Sequence, residues 1–203
     1  MQGKFLALGD SLTTGYGVGV SNSFATLYFS RLRSNYPNLQ YENLGVDGLI
    51  SRELTSMLRQ PGMSNLIARS SLITITIGSN DLLAIGKDLM AGKPINPQST
   101  LSEFTQNLLT LGLLLRQLNP TATIKIATIY NPLPPMNKEL NALSNTLLNI
   151  ANSSIRKIGR EYGLIVVPVA KAFQGRERVF IGPDHVHPSI EGHQTIADLF
   201  YRY

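Results

Sequence analysis

The chain has 203 residues, 18 of them basic and 13 acidic for a net charge of +5, and contains neither cysteine nor tryptophan. With 43% hydrophobic and only 15% charged residues it lies outside the range of disordered chains, and its length suits one domain spanning 1–203. The absence of cysteine excludes disulfide frameworks, cysteine zinc sites, iron–sulfur ligation and thiol nucleophiles.

Met1 to Leu8 runs straight into Gly9-Asp10, too short for the apolar region of an export signal and without its small-residue cleavage site. The expectation is a cytoplasmic protein, with leaderless export or spore association left open. The leucine-rich stretch Leu108 to Leu118 is interrupted by Arg116 and Gln117, short of the ~20 residues that cross a bilayer.

Five short apolar runs read as strands: Lys4 to Leu8, Leu39 to Leu44, Leu72 to Ile77, Ala122 to Ile129 and Leu164 to Val169. Consecutive apolar positions rich in Ile, Val and Thr suit strands covered on both faces, hence a parallel sheet. Between them, helical periodicity covers Ser23 to Tyr36, Ile50 to Leu58, Leu101 to Leu118 and Lys138 to Tyr162, with a last helix from about Ser189 to Tyr201. Strand and helix alternate throughout, so the fold class is α/β with helices on both faces. Two stretches read as irregular, 86–98 and 130–137, after the third and fourth strands, where loops of parallel sheets shape ligand crevices.

The first strand ends in Gly9-Asp10-Ser11-Leu12, which sets Ser11 in a small-residue turn at a strand terminus. A serine needs an imidazole to take its proton and a third group to hold that imidazole. All three histidines lie near the end of the chain, two of them in Asp184-His185-Val186-His187-Pro188. One helix-like turn brings Asp184 and His187 to the same side, whereas Asp184 and His185 diverge. Pro188 suits the first position of the final helix, and His193, inside it, suits an exposed or helix-packing role.

Metal binding by Asp184, His185 and His187 is the rival for this cluster, but no His-Glu-x-x-His helix or cysteine ligand supports it. Donors for an oxyanion can come from Asn80, in Gly78-Ser79-Asn80-Asp81 after the third strand, and from a glycine N–H after the second, where Gly45 and Gly48 both stand. Asp81 is placed to cap the helix that follows. Gly15-Tyr16-Gly17-Val18-Gly19 imitates a dinucleotide loop but has Val20 where the third glycine belongs. There is no Gly-x-Ser-x-Gly elbow.

In order and spacing, Gly9-Asp10-Ser11-Leu12, Gly48, Gly78-Ser79-Asn80-Asp81 and Asp184-His185-Val186-His187-Pro188 resemble the blocks of the SGNH hydrolases, the GDSL esterase and lipase family. The blocks span positions 9 to 188, nearly the whole chain, and the Gly-Asp-Ser-Leu-Thr opening is similar to that of small bacterial members, including spore-associated lipases of Bacillus-like organisms. The resemblance selects Gly48 over Gly45, because the family's glycine precedes a helix-opening serine, here Ser51. It implies Ser11 as nucleophile, His187 as base, Asp184 as its orienter, and the Ser11 N–H, Gly48 N–H and Asn80 amide as an oxyanion hole. It also implies a flavodoxin-like α/β/α sandwich with strand order 2-1-3-4-5 and no metal or organic cofactor.

The reaction expected is ester hydrolysis through an acyl-enzyme, at a rate that rises with pH as the histidine loses its proton, with a buried Asp184 supporting the imidazolium. Leu82, Leu83, Ile85, Leu89, Met90, Tyr130, Leu133, Met136, Leu140 and Leu143 either line an acyl site or seal the sheet edge. An acyl ester, with lipids and phospholipids among the candidates, is the expected substrate, with acetylated carbohydrate and thioester as alternatives and a non-catalytic ligand-binding module as the different-class alternative. The net charge allows peripheral contact with an anionic lipid surface. With 7% aromatic residues and scattered basic ones, no nucleic-acid partner is expected.

Overall fold

The computed structural model describes residues 3–132 and 138–203. Its five strands, β1 Lys4–Gly9, β2 Gln40–Gly45, β3 Ser70–Thr76, β4 Thr123–Ala127 and β5 Ile165–Val167, form one parallel sheet in the order β2-β1-β3-β4-β5. The register aligns Gly9 with Gly45 on one side and Thr76 on the other, so the loops that leave β2, β1 and β3 start at one level.

Alternation along the strands divides the core in two. Leu6, Leu8, Ile73, Ile75, Ile124 and Ile126 pack with α3 Ser51–Leu58, α4 Pro61–Ala68, α6 Pro97–Leu118 and α7 Lys138–Tyr162. Phe5, Ala7, Leu72, Ala127 and Val167 face the other way, against α2 Phe24–Asn35, α8 Val169–Phe173 and α10 Ile190–Arg202. Phe24 stacks on Phe200 there, with ring centroids 4.9 Å apart. One cation enters this second layer: Lys125 Nζ donates to the Tyr28 hydroxyl at 2.9 Å and the Phe200 carbonyl at 2.6 Å, and burial lowers its pKa. The layered α/β architecture and strand order are therefore those expected. No helix among the described residues is long and apolar enough to cross a membrane.

Several local expectations are corrected. The helix Pro61–Ala68 was not anticipated; Pro61 opens it with a φ already set for helix and an N–H that no helical bond needs. α5 runs from Ser79 to Met90, into the stretch expected to be irregular, with Gly86 in its interior. α6 opens at Pro97, ahead of the expected Leu101, and Asn96 caps it by accepting the Ser99 N–H with its side chain. The fifth strand stops at Val167, and α8 and the short α9 Glu177–Phe180 follow. Pro188 lies outside α10, buried in an isolated antiparallel bridge with Ile181, and Ser189 caps the helix.

Order 2-1-3-4-5 sends the chain leaving β1 and the chain leaving β3 to opposite sides, which opens a crevice between their carboxyl ends. α1, Ser11–Thr14, and the start of α5 flank that crevice.

Candidate active site

β1 ends at Gly9 with φ +143°, where a Cβ would come within 2.3 Å of the Thr76 carbonyl oxygen, so only glycine lets the two strand ends close. Asp10 follows as the N-cap of α1: its Oδ1 accepts the Leu12 N–H at 3.1 Å and the Thr76 hydroxyl at 2.9 Å, and its own N–H donates to the Thr76 carbonyl. Oδ2 of this buried carboxylate has no partner among the described residues. Burial pushes the Asp10 pKa up to about 6, against the opposing pull of the Thr76 and Leu12 hydrogen bonds and the nearby His187.

Ser11, 6% exposed, opens α1, and its N–H has no acceptor among the described residues. Its Oγ lies 2.9 Å from His187 Nε2, and His187 Nδ1 lies 2.5 Å from Asp184 Oδ2. Asp184 Oδ1 also accepts the Val186 and His187 amides, each at 3.0 Å. Partial burial works to raise the Asp184 pKa, but the His187 ring bond and the two amides outweigh it and leave the carboxyl below its usual value.

The loop that carries Asp184 and His187 is pinned at several points. Gly182 donates to the His187 carbonyl at 2.7 Å, and the buried Tyr130 hydroxyl donates to the Val186 carbonyl at 2.7 Å, joining the loop to the end of β4. His185 has φ +59° and is exposed, so of the two candidate histidines only His187 reaches the serine. The Asp184 side chain is 41% exposed, contrary to the buried carboxylate expected, because Asp184 rides on a surface turn. His193 is fully buried: its Nδ1 accepts the first amide of α2 from Phe24 at 3.1 Å, and burial lowers its pKa to about 4.

On the other side of Ser11, Asn80 Nδ2 donates to the Leu49 carbonyl at 3.0 Å. Asp81 does not cap α5, whose N-cap is Gly78 without a side-chain bond. Its carboxylate instead accepts the Ser51 hydroxyl at 2.5 Å and the Ser51 N–H at 3.0 Å, and Asn107 donates to the same hydroxyl at 2.9 Å. Burial raises the Asp81 pKa, with the Ser51 bonds opposing. This network ties the start of α5 to the start of α3, so the turns carrying Asn80 and Gly48 are held together. Gly48 has φ +79°, and its N–H has no acceptor among the described residues.

A cavity of about 470 Å³ opens beside Ser11, Asn80 and His187. Of the two roles left open for them, Leu82, Leu83, Ile85, Leu89, Tyr130 and Leu143 line the cavity, joined by residues the sequence did not single out, among them Ile129, Leu147 and Leu148. Leu133 and Met136 lie outside the described residues, as do the side chains of Met90 and Leu140. Gly48 is not among the lining residues; it stands one residue before Leu49, whose carbonyl holds Asn80. Sequence reasoning also missed Tyr16, whose ring packs on His187 with centroids 4.5 Å apart; its one signal was a bulky residue between glycines just after the serine turn.

Fold and comparisons agree on the class: the protein is a carboxylic ester hydrolase built on an α/β/α sandwich. The chain belongs to the GDSL-like lipase/acylhydrolase family, whose family model matches residues 7–195. The spore germination lipase LipC of Bacillus licheniformis is 24% identical over 203 residues, covering 96% of this chain and 93% of LipC. Among solved structures, the lipase Lip_vut3 from a goat rumen metagenome matches with a TM-score of 0.86 at 22% identity, over 98% of this chain and 96% of that one. Axe2, an acetylxylan esterase from Geobacillus stearothermophilus, matches with a TM-score of 0.75 at 21% identity, over 100% of this chain and 95% of Axe2. At these identities the structural matches bear on the fold alone.

Proposed function

We propose that this chain, acting as one catalytic domain, hydrolyses esters of apolar acyl groups with Ser11 as nucleophile, His187 as general base and Asp184 as its orienter. The observation that carries the reading is the unbroken line from Ser11 Oγ through His187 to Asp184, with steps of 2.9 and 2.5 Å, at the mouth of an apolar cavity. Ser11 attacks the ester carbonyl while His187 Nε2 takes its proton. The tetrahedral oxyanion meets the free N–H groups of Ser11 and Gly48 and the remaining N–H of Asn80. His187 then returns the proton to the departing alcohol, and water releases the acyl group by the same steps in reverse roles.

The cavity supports a substrate with an extended acyl chain over an acetate ester. At ~30 Å³ for a water-sized volume, about 470 Å³ far exceeds what a methyl group fills. Its leucine and isoleucine walls offer a sugar few hydrogen-bond partners, so the acetyl-carbohydrate reading is the weaker one.

The test is a p-nitrophenyl ester series from acetyl to palmitoyl, assayed with wild type and Ser11→Ala. Turnover is expected to peak beyond acetyl and to fall by about 10⁴ or more in the variant. Equal rates in the two proteins would overturn the mechanism, and a peak at acetyl would overturn the substrate class.

A further inference from the structure

Gly15 ends α1 in the left-handed region, φ +84°, and a Cβ there would come within 2.7 Å of Ser23 Cβ and 2.8 Å of the Gly19 carbonyl oxygen. The N–H groups of Gly15 and Tyr16 both donate to the Ser11 carbonyl, at 3.1 and 3.0 Å, and those of Val18 and Gly19 donate to the Gly15 carbonyl. Asn22 closes the loop from the far side through the Val18 carbonyl. Tyr16 is therefore held by backbone bonds to the nucleophile's own peptide, yet its side chain is 50% exposed.

The Tyr16 ring lies against His187 at an interplanar angle of 41°. It is not among the residues that line the cavity, whose walls come chiefly from α5, α7 and the residues after β4. A tetrahedral carbon on Ser11 Oγ has three further substituents. The oxyanion turns to the amide donors, and the acyl chain enters the cavity. The alcohol oxygen must lie within reach of His187 Nε2, because that nitrogen returns the proton to it. Beside His187 and outside the cavity lining stands the half-exposed Tyr16 ring, a surface open to the alcohol's remaining atoms.

We infer that Tyr16 is a specificity-determining residue for the alcohol half of the ester, giving an alcohol with a broad apolar face a ring to pack on. The inference rests on the serine mechanism and acyl orientation proposed above. It assigns the two halves of the substrate to two surfaces: the apolar cavity reads the acyl chain, and the Gly15–Gly19 loop reads the leaving group. A small alcohol such as methanol gains nothing from the ring, whereas a cyclic one buries a face against it.

The experiment compares methyl butanoate with cyclohexylmethyl butanoate, which share the acyl group, on wild type, Tyr16→Ala and Tyr16→Phe. kcat/KM reports acylation, the step in which the alcohol departs. The expected result for Tyr16→Ala is a loss of about three- to tenfold on the cyclohexylmethyl ester and less than about twofold on the methyl ester. Tyr16→Phe should retain the wild-type ratio, and the acyl-chain optimum in the p-nitrophenyl series should not move. Equal losses on both butanoates, or a shifted acyl-chain optimum, would overturn the assignment. Full activity in Ser11→Ala would instead bring down the mechanism beneath it, so the two failures are separable.

Discussion

Two carboxylates attend the Ser11–His187 pair, one from the turn after β1 and one from the surface loop before α10, and they differ in almost every physical respect. Asp10 is 1% exposed, holds two hydrogen bonds on one oxygen and none on the other, and burial raises its pKa to about 6. Asp184, its side chain 41% exposed, accepts from a ring nitrogen and two amides, and its pKa lies below the usual value. The buried carboxylate sits where it shapes the chain, capping α1 and tying it to β3. The exposed one sits where it shapes the histidine. In the proposed mechanism, then, orientation of the base rests on hydrogen-bond geometry, because Asp184 keeps its bond to Nδ1 although its side chain is partly solvated.

The sharpest way to break this comparison is to exchange each carboxylate for its amide. In Asp184→Asn the amide Nδ2 can turn toward His187 Nδ1, which favours the tautomer with its proton on Nε2 and removes the base. We expect kcat/KM to fall by about 10³ to 10⁴ near pH 7.5, while Asp10→Asn loses less than about tenfold because the asparagine oxygen still caps α1. Steady-state assays of both variants decide it. A larger loss for Asp10→Asn would mean that the buried charge, rather than the loop, supports the imidazolium.

A second comparison sets the Ser11 side of the crevice against the Asn80 side. Asn80 reaches the site from α5, and its orientation depends on the Leu49 carbonyl and on the Asp81–Ser51 bonds. Asn80→Ala should lower kcat by about 10² to 10³ with a far smaller change in KM, the pattern of a donor that acts on the transition state. A rise in KM at unchanged kcat would make Asn80 a binding residue only.

How much of this could be read from the sequence follows the same division between motif and environment. Ser11, Asn80, Asp184 and His187 were legible because each sits in a short block beside a strand end or helix start, and a parallel sheet gathers such ends on one edge. Gly48 was legible as a candidate N–H donor, but the bond that ties the turn after β2 to Asn80 was not. Tyr16 was hidden because its glycine neighbours read as a failed nucleotide loop, and its contact with His187 joins residues far apart in the chain. The solvation of Asp184 and the burial of Asp10 were equally out of reach. Both are tertiary facts: one follows from a surface turn, the other from the closure of Gly9 on Thr76.

The smallest expected effect concerns stability, and it tests the burial of Asp10 directly. Because the folded-state pKa of about 6 exceeds the ordinary value of 3.8, the native protein holds this proton more tightly than the unfolded chain does. The stability this lends is complete below the ordinary value and is lost as pH rises through about 6. The full difference is roughly 3 kcal/mol, of which about 1.4 kcal/mol falls between pH 5 and pH 8. Asp10→Asn has no proton to lose at this position, so its unfolding free energy relative to wild type should rise by that ~1.4 kcal/mol on going from pH 5 to pH 8. Urea unfolding of both proteins at the two pH values measures the change, and comparison at each pH cancels every other titrating group. A pH-independent gap would mean that Asp10 ionises as readily in the folded protein as in the unfolded chain, and the contrast with Asp184 would then lose its electrostatic half and keep only its geometric one.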